Sequence, residues 1–159
     1  NGCAYPSEIG INLLSAYVFT KDAKYINKAK EIFLKAESGC TNNLYIYNTQ
    51  ATRDYQARQI CNFYVAYKVW EINNTEDYEW AKDYGTKAII FADAIKDKRV
   101  ELDNSHLKLI KHGNILGDEN KTSIDLNQNA EIALAYALLY TDKELGRNLD
   151  ADYKQIIMN

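Results

Sequence analysis

The sequence predicts an all-α domain built from tandem antiparallel helical hairpins. Its 159 residues are 47% apolar and 26% charged, which is typical of one well-cored domain. One proline and seven glycines are too few for the frequent turns of an all-β chain. Segments with apolar residues on nearly all sides alternate with amphipathic segments. We therefore treat residues 1–159 as a single helical-hairpin repeat domain. The same pattern is equally compatible with a piece of a larger helical assembly.

The first predicted hairpin joins two segments of different character. Residues 7–20 place apolar side chains on nearly every side of a helical wheel, so we expect an inner helix that is buried almost all round. Asp22 then begins a helix whose apolar residues recur at spacings of three and four, and this helix ends at Gly39. We expect this second helix to lie outside, half in contact with solvent.

The same order of elements is predicted for the second hairpin. Thr52 caps an apolar helix that runs to about Ile72. Asn74 or Thr75 caps an amphipathic partner that continues through Ile95.

The third hairpin follows a longer connection without a strong helical pattern. Asp125, with Gln128 three residues later, makes a capping-box-like start to an apolar helix that runs through Tyr140. Residues 150–157 are the predicted start of its outer mate. Three such hairpins in series form the layered arrangement of a helical repeat, although intervals of 50 and 69 residues between equivalent tyrosines imply long, irregular loops.

Polar residues recur near the start of each predicted inner helix. Setting Tyr17, Tyr67 and Tyr136 as equivalent and counting nine and five residues back gives Glu8 and Asn12, Arg58 and Asn62, and Asn127 and Glu131. Members of each pair are four residues apart and share a helical face, and Gln128, Tyr55 and Gln59 flank the same stripe. Two interpretations stay open. These residues bond to one another or meet solvent, or they line a polar mouth for a polyhydroxylated ligand.

Short stretches of the chain resemble a known superfamily. Residues 52–60, Thr-Arg-Asp-Tyr-Gln-Ala-Arg-Gln-Ile, resemble the Gln-Ala-Arg stretch of N-acylglucosamine 2-epimerase-like (α/α) toroid proteins. Residues 127–131 leading into Ala135-Tyr136, and Ala16-Tyr17 followed by residues 21–25, resemble the inner-helix and turn pattern of toroid glycosidases, including the six-hairpin type, lyases and uronyl epimerases.

The resemblance implies a carbohydrate-active or carbohydrate-binding domain of (α/α) toroid type, in which Arg58 contacts the sugar. Such epimerases use histidines on inner helices, whereas His106 and His112 lie in the connecting segment, so epimerase chemistry is not supported. A full ring needs six hairpins, and the three predicted here suit a partial or open ring. A partial ring leaves the hairpins at its two ends without a neighbour on one face. We expect a second copy of the chain, or a missing half of the ring, to pack against those faces.

The candidate catalytic residues are Glu8 and Glu131, because glycoside hydrolysis needs two carboxyl groups about 5–9.5 Å apart. The simpler alternative is that Glu131 forms an ion pair with Arg58. The candidate substrate-binding residues are Asn12, Tyr55, Arg58, Asn62, Asn127 and Gln128. We expect no metal site and no cofactor, because the two histidines are six residues apart and the sequence has no phosphate-loop, dinucleotide or zinc-protease motif.

The resemblance implies a sugar or oligosaccharide as the partner, and charge and hydropathy argue against other classes of partner. The net charge of -3, without a Lys/Arg cluster, argues against nucleic acid and membrane surfaces, and no apolar run reaches the roughly 18 residues that span a bilayer. The alternative function is a non-enzymatic helical-repeat interaction or scaffold domain. The chain begins with Asn and shows no leader, so periplasmic, secreted and cytoplasmic locations all stay open.

Cysteines and tyrosines give the remaining expectations. Cys3 and Cys40 are predicted at the same end of the first hairpin, so a disulfide between them stays open, whereas Cys61 is expected as an inert buried thiol. Tyrosines on apolar helical faces are expected in the core, namely Tyr17, Tyr64, Tyr67 and Tyr136. Tyrosines that precede or open inner helices are candidates for stacking on a sugar, namely Tyr5, Tyr45, Tyr47 and Tyr55.

Overall fold

A computed structural model describes residues 4–41, 53–96, 99–101, 108–110, 126–149 and 151–158. The elements in chain order are α1 (Ala4–Thr20), α2 (Ala23–Thr41), α3 (Arg53–Asn73), a 3-10 helix (Glu76–Ala81), α4 (Tyr84–Lys96), β1 (Arg99–Glu101), β2 (Lys108–Ile110), α5 (Leu126–Thr141), a second 3-10 helix (Gly146–Asn148) and α6 (Ala151–Met158). The predicted all-α class is confirmed. Among the described residues, the predicted connection adds an antiparallel two-stranded ribbon of β1 and β2.

The helices pack as three hairpins whose first members form an inner row. α1 packs on α2, α3 on α4, and α5 on α6, while α3 lies between α1 and α5. Side-chain contacts join Arg58 to Glu131 near the amino-terminal ends of α3 and α5, and Lys68 to Asp142 towards their carboxyl-terminal ends. α3 and α5 therefore run parallel, and α1 runs parallel to α3, because Ser7 near its start contacts Gln59 and Tyr17 near its end contacts Asp77, which follows α3. The amino-terminal ends of the three inner helices meet at one end of the row.

Aromatic rings form the centre of the core. The ring centroids of Phe63 and Tyr84 are 4.9 Å apart, and those of Phe33 and Tyr84 are 5.1 Å apart. Gly10 of α1 packs directly against α2, because a Cβ atom there would lie 2.7 Å from the ring of Phe33. The absence of a side chain at this residue lets the first two helices approach closely.

Tyrosine hydroxyls tie the elements together. Tyr17, Tyr67 and Tyr136 are buried and Tyr64 is half-buried, as expected for core residues. The bonds from hydroxyl donors to acceptors on other elements are Tyr17 to Asp77 (2.6 Å), Tyr84 to Glu37 (3.3 Å), Tyr64 to Asp142 (3.2 Å), Tyr153 to Asp93 (2.9 Å) and Tyr136 to the carbonyl of Ala92. Each ring thus contributes apolar area to the core and satisfies its polar tip.

The prediction that the inner helices are buried almost all round is wrong. Phe19 is 87% exposed, Ile72 77% and Leu134 57%. On α1 the buried residues form a single stripe with spacings of three and four, namely Ser7, Gly10, Leu14 and Tyr17. The reason is geometric, because α2 and α3 cover one side of α1 and leave apolar side chains on the other.

The predicted amphipathic helix after α3 is broken into two. The 3-10 helix has three residues per turn, so Tyr78, Ala81 and then Tyr84 lie along one buried line. α4 begins at Tyr84 and continues with α-helical spacing through Ala88 and Phe91. The tighter turn is the local solution that brings all these side chains into the core.

The connections that follow α1 and α3 each begin with a residue in the left-handed region. Lys21, with φ of 55°, follows α1, and Asn74, with φ of 44°, follows α3. The Lys21 N–H donates to the Tyr17 carbonyl at 2.9 Å, which closes the last turn of α1. The Asp22 carboxylate then accepts from the Lys24 N–H at 3.0 Å, so Asp22 caps α2 as its predicted start.

Candidate functional site

The predicted polar stripe lies at the amino-terminal ends of the inner helices. We call the five members whose side chains the structure describes, namely Glu8, Asn12, Arg58, Asn62 and Glu131, the polar end. Asn12 and Arg58 are exposed, and the other three are half-buried. Tyr55, Asn127 and Gln128 lie in the first turns of α3 and α5, and their side chains fall outside the described part.

An ion pair joins α3 to α5 within the polar end. Arg58 Nη2 donates to Glu131 Oε1 at 3.2 Å, and the two side chains are 43% and 34% exposed. The sequence analysis named this pair as the simpler alternative for Glu131, and it is confirmed. The alignment of tyrosines had instead placed Arg58 level with Asn127, which is four residues, or about one helical turn, before Glu131 on α5.

A hydrogen-bond chain joins α1 to α3 beside the ion pair. Asn62 Nδ2 donates to Ser7 Oγ at 2.9 Å, and Ser7 Oγ donates to Gln59 Oε1 at 2.7 Å. Ser7 is fully buried and Gln59 is 2% exposed. Ser7 was not among the predicted site residues. Its spacing from Gly10, Leu14 and Tyr17 places it on the buried stripe, which could have indicated a buried hydroxyl group that needs partners.

Two buried polar atoms in this region have no hydrogen-bond partner among the described residues. They are Gln59 Nε2, at the end of the hydrogen-bond chain, and Glu131 Oε2, on the carboxylate that holds Arg58. Buried polar atoms without a partner cost about 1–3 kcal/mol each. The described side chains therefore leave these two atoms, at and beside the polar end, without a hydrogen-bond partner.

Cys61 is a partly buried, free thiol close enough to Glu131 to feel its charge. Burial, and then the negative charge of Glu131, raise the pKa of the Cys61 thiol to about 11. A thiol with such a pKa stays protonated and unreactive at neutral pH. The expectation was an inert buried thiol; Cys61 is only partly buried, and its raised pKa agrees with the inert character. The question of a disulfide between Cys3 and Cys40 concerns side chains outside the described part.

A second polar cluster lies at the opposite end of α3 and α5. The carboxylate of Asp142 accepts from Lys68 Nζ at 3.0 Å and from the backbone N–H groups of Glu144 and Leu145 at 3.0 and 2.9 Å. Burial opposes ionisation of Asp142, but the bonds from Leu145, Lys68 and Glu144 together lower the pKa of its carboxyl below the ordinary value. This cluster, which the sequence analysis did not predict, fixes the end of α5 to α3.

The structure also contains an open cleft on its outer side. Its volume is about 460 Å³, and it is lined by Ile26, Asn27, Lys30, Glu76, Asp77, Glu79 and Trp80 from α2 and the first 3-10 helix. Asp77 and Glu79 already accept hydrogen bonds from Tyr17 and Trp70. The cleft is separate from the polar end.

Other predicted features fall outside the described part or have no structural counterpart within it. His106, His112, Tyr45 and Tyr47 lie in undescribed segments, as does the side chain of Tyr5. Among described residues, no group of three or more His, Cys, Asp or Glu side chains is arranged to hold a metal ion. Within the same residues, every helix is too short or too polar to cross a membrane.

Comparisons of the chain with protein-family models, curated proteins and solved structures found no significant match.

The arrangement offers hydrogen bonding more readily than acid–base chemistry. Neighbouring helix axes are about 8–10 Å apart, and α3 separates α1 from α5. Glu8 and Glu131 therefore lie on helices that are two helix spacings apart, and no contact joins their carboxyl groups among the described interactions. Their catalytic role stays a prediction.

Proposed function

We propose that this domain binds carbohydrate at the polar end. The observation that supports the proposal is that the five described members of the predicted stripe lie together at one end of the inner row, where Asn12 and Arg58 are exposed and the other three are partly accessible to solvent. Parallel packing of α1, α3 and α5 gathers them there, although they are far apart in sequence. The resemblance to toroid carbohydrate-active proteins favours a sugar as the ligand.

The side chains suit a polyhydroxylated ligand. The amide groups of Asn12 and Asn62 each combine a donor NH₂ with an acceptor oxygen, as a sugar hydroxyl requires. Glu131 holds the guanidinium of Arg58 in place, which reduces the entropy lost when a ligand binds. Asn127, Gln128 and Tyr55 extend the same surface in the proposal.

We also propose that the three hairpins form an open arc of (α/α) toroid type. The inner row of α1, α3 and α5, each backed by an outer helix, supports this arrangement. In such an arc, the polar end is one mouth of the concave side. A hydrolase, lyase or epimerase reaction using Glu8 and Glu131 is the further step, tested by assaying those activities once a binding sugar is known.

A thermal-shift titration with neutral oligosaccharides tests the binding proposal. A ligand that binds the folded state alone raises the melting temperature, and the rise grows with the ratio of free ligand concentration to dissociation constant. We expect a shift that disappears in Arg58→Ala. The matched control is Arg147→Ala, because Arg147 also forms an exposed ion pair, with Glu144 at 3.1 Å, but beyond the far end of α5. A shift that both variants retain, or no shift with any sugar, would contradict the proposal.

The second candidate is a non-enzymatic interaction domain that associates with a second copy of the chain. It is favoured by Phe19, Ile72 and Leu134, which are exposed on inner helices whose sequences are apolar on most sides. Helical hairpins of this chain already pack side by side, so a hairpin of another copy has a matching surface. Light scattering over a range of concentrations tests it. Self-association that Phe19→Ser weakens supports this candidate, and a monomer at all concentrations excludes it.

A further inference from the structure

The polar end carries more negative than positive charge. Its ionisable members are the two carboxylates of Glu8 and Glu131 and the guanidinium of Arg58, which leaves a formal charge of -1. Proteins usually recognise a ligand carboxylate with an arginine that offers its planar fork of N–H donors. The charge and the use of Arg58 therefore decide which class of sugar this surface accepts.

Arg58 is already occupied by a carboxylate of the protein. Its Nη2 donates to Glu131 Oε1 at 3.2 Å, and with 43% of the side chain exposed the pair borders the surface that a ligand would cover. An acidic sugar would have to displace Glu131 from Arg58. It would then leave the Glu131 carboxylate, one oxygen of which is buried without a partner, close to the charge of the incoming ligand.

We infer that the polar end selects uncharged and amino sugars and rejects uronic acids, an inference that rests on the proposed binding function. The Arg58–Glu131 ion pair acts as the discriminating element. It keeps donors and acceptors for hydroxyl groups but leaves no uncompensated positive charge for a carboxylate. Specificity here comes from a repulsive group placed against the competing ligand.

Binding of three matched ligands tests this inference. The ligands are β-1,4-linked trimers of glucose, glucosamine and glucuronic acid, which share a backbone and differ in charge. Calorimetric titration at low salt is expected to give a dissociation constant at least about tenfold larger for the glucuronic acid trimer than for the glucose trimer. The glucosamine trimer is expected to bind at least as tightly as the glucose trimer, and high salt should narrow the differences.

The variant Glu131→Gln tests the mechanism. It removes the competing negative charge and the carboxylate that Arg58 pairs with here, so it is expected to bind the glucuronic acid trimer about tenfold more tightly than the unaltered protein does. The control Glu144→Gln breaks the comparable exposed ion pair with Arg147 and is expected to leave all three affinities unchanged. Melting curves of both variants serve as the check that each variant folds.

The outcomes separate this inference from the proposed function. If the glucuronic acid trimer binds as tightly as the glucose trimer, or Glu131→Gln does not improve its binding, the selectivity is wrong while carbohydrate binding stands. If none of the three trimers binds, carbohydrate binding fails and the selectivity fails with it.

Discussion

Replacing Ser7 by Ala tests whether the hydrogen-bond chain between α1 and α3 contributes to stability. The Ser7 hydroxyl is fully buried, accepts from Asn62 and donates to Gln59. Its removal takes a partner from each of these side chains, and Gln59 already has one unpaired buried nitrogen. At about 1–3 kcal/mol for the buried Gln59 and about 0.5–1.5 kcal/mol for the bond of the half-buried Asn62, we expect a loss of about 1.5–4.5 kcal/mol in the free energy of unfolding.

Urea denaturation followed by circular dichroism measures this loss. The matched control is Ser15→Ala on the same helix, because the Ser15 hydroxyl is exposed and donates within α1 to the Ile11 carbonyl at 3.1 Å. Alanine favours helices, so the control is expected to change stability by about 0.5 kcal/mol or less. The double variant Ser7→Ala with Gln59→Leu is expected to lose less than the sum of its parts. Equal losses for Ser7→Ala and Ser15→Ala would refute the reasoning.

Three further predictions concern backbone strain, packing and pH. Lys21→Gly is expected to raise the free energy of unfolding by about 0.5–1 kcal/mol in urea melts, because glycine relieves the left-handed φ of 55°; a loss of stability would contradict this. Gly10→Ala is expected to lower it by about 1–3 kcal/mol, because the added methyl group would overlap the ring of Phe33; an unchanged melt would contradict it. The hydrogen bond to Asp77, then burial, raise the pKa of Tyr17 to about 12. Because this pKa is higher in the folded state, its stabilisation is complete below pH 10 and is lost as pH rises towards 12, and Tyr17→Phe should flatten the alkaline decrease in denaturation curves.

The sequence predicted the helices well, because helix caps and apolar spacings depend on residues that are close together in the chain. Asp22 caps α2 and the apolar tyrosines lie in the core, as spacing and composition indicated. The break between the first 3-10 helix and α4 escaped prediction, because spacings of three and four occur in both helix types over short stretches. The ribbon of β1 and β2 has only three residues on each strand, too few for an alternating pattern to be distinguished.

The relative position of neighbouring helices was beyond the sequence pattern. Equivalent tyrosines placed α3 and α5 in register at a separation of 69 residues, whereas Arg58 meets Glu131 at a separation of 73 and Lys68 meets Asp142 at 74. A shift of one turn leaves every side chain on the same helical face, so periodicity cannot detect it. The polar residues of the stripe were identifiable, but their partners were not.

Burial was overestimated for a related reason. A helix that is apolar on all sides is expected to be enclosed, yet Ile9 and Phe19 of α1 are 52% and 87% exposed. The distribution of apolar residues around a helix shows which of its faces are apolar, but it does not show how many other helices pack against it. Only the packing order, with α3 in the middle of the row, shows which faces are covered.

The most direct test of carbohydrate binding at the polar end is a nitrogen-15 NMR titration of the protein with the neutral glucose trimer. We predict saturable shifts of the side-chain amide signals of Asn12 and Asn62 and of the guanidinium N–H signal of Arg58. The indole N–H of Trp80, which lines the outer cleft, is expected not to move. Shifts confined to Trp80, or a spectrum unchanged by the sugar, would contradict the account.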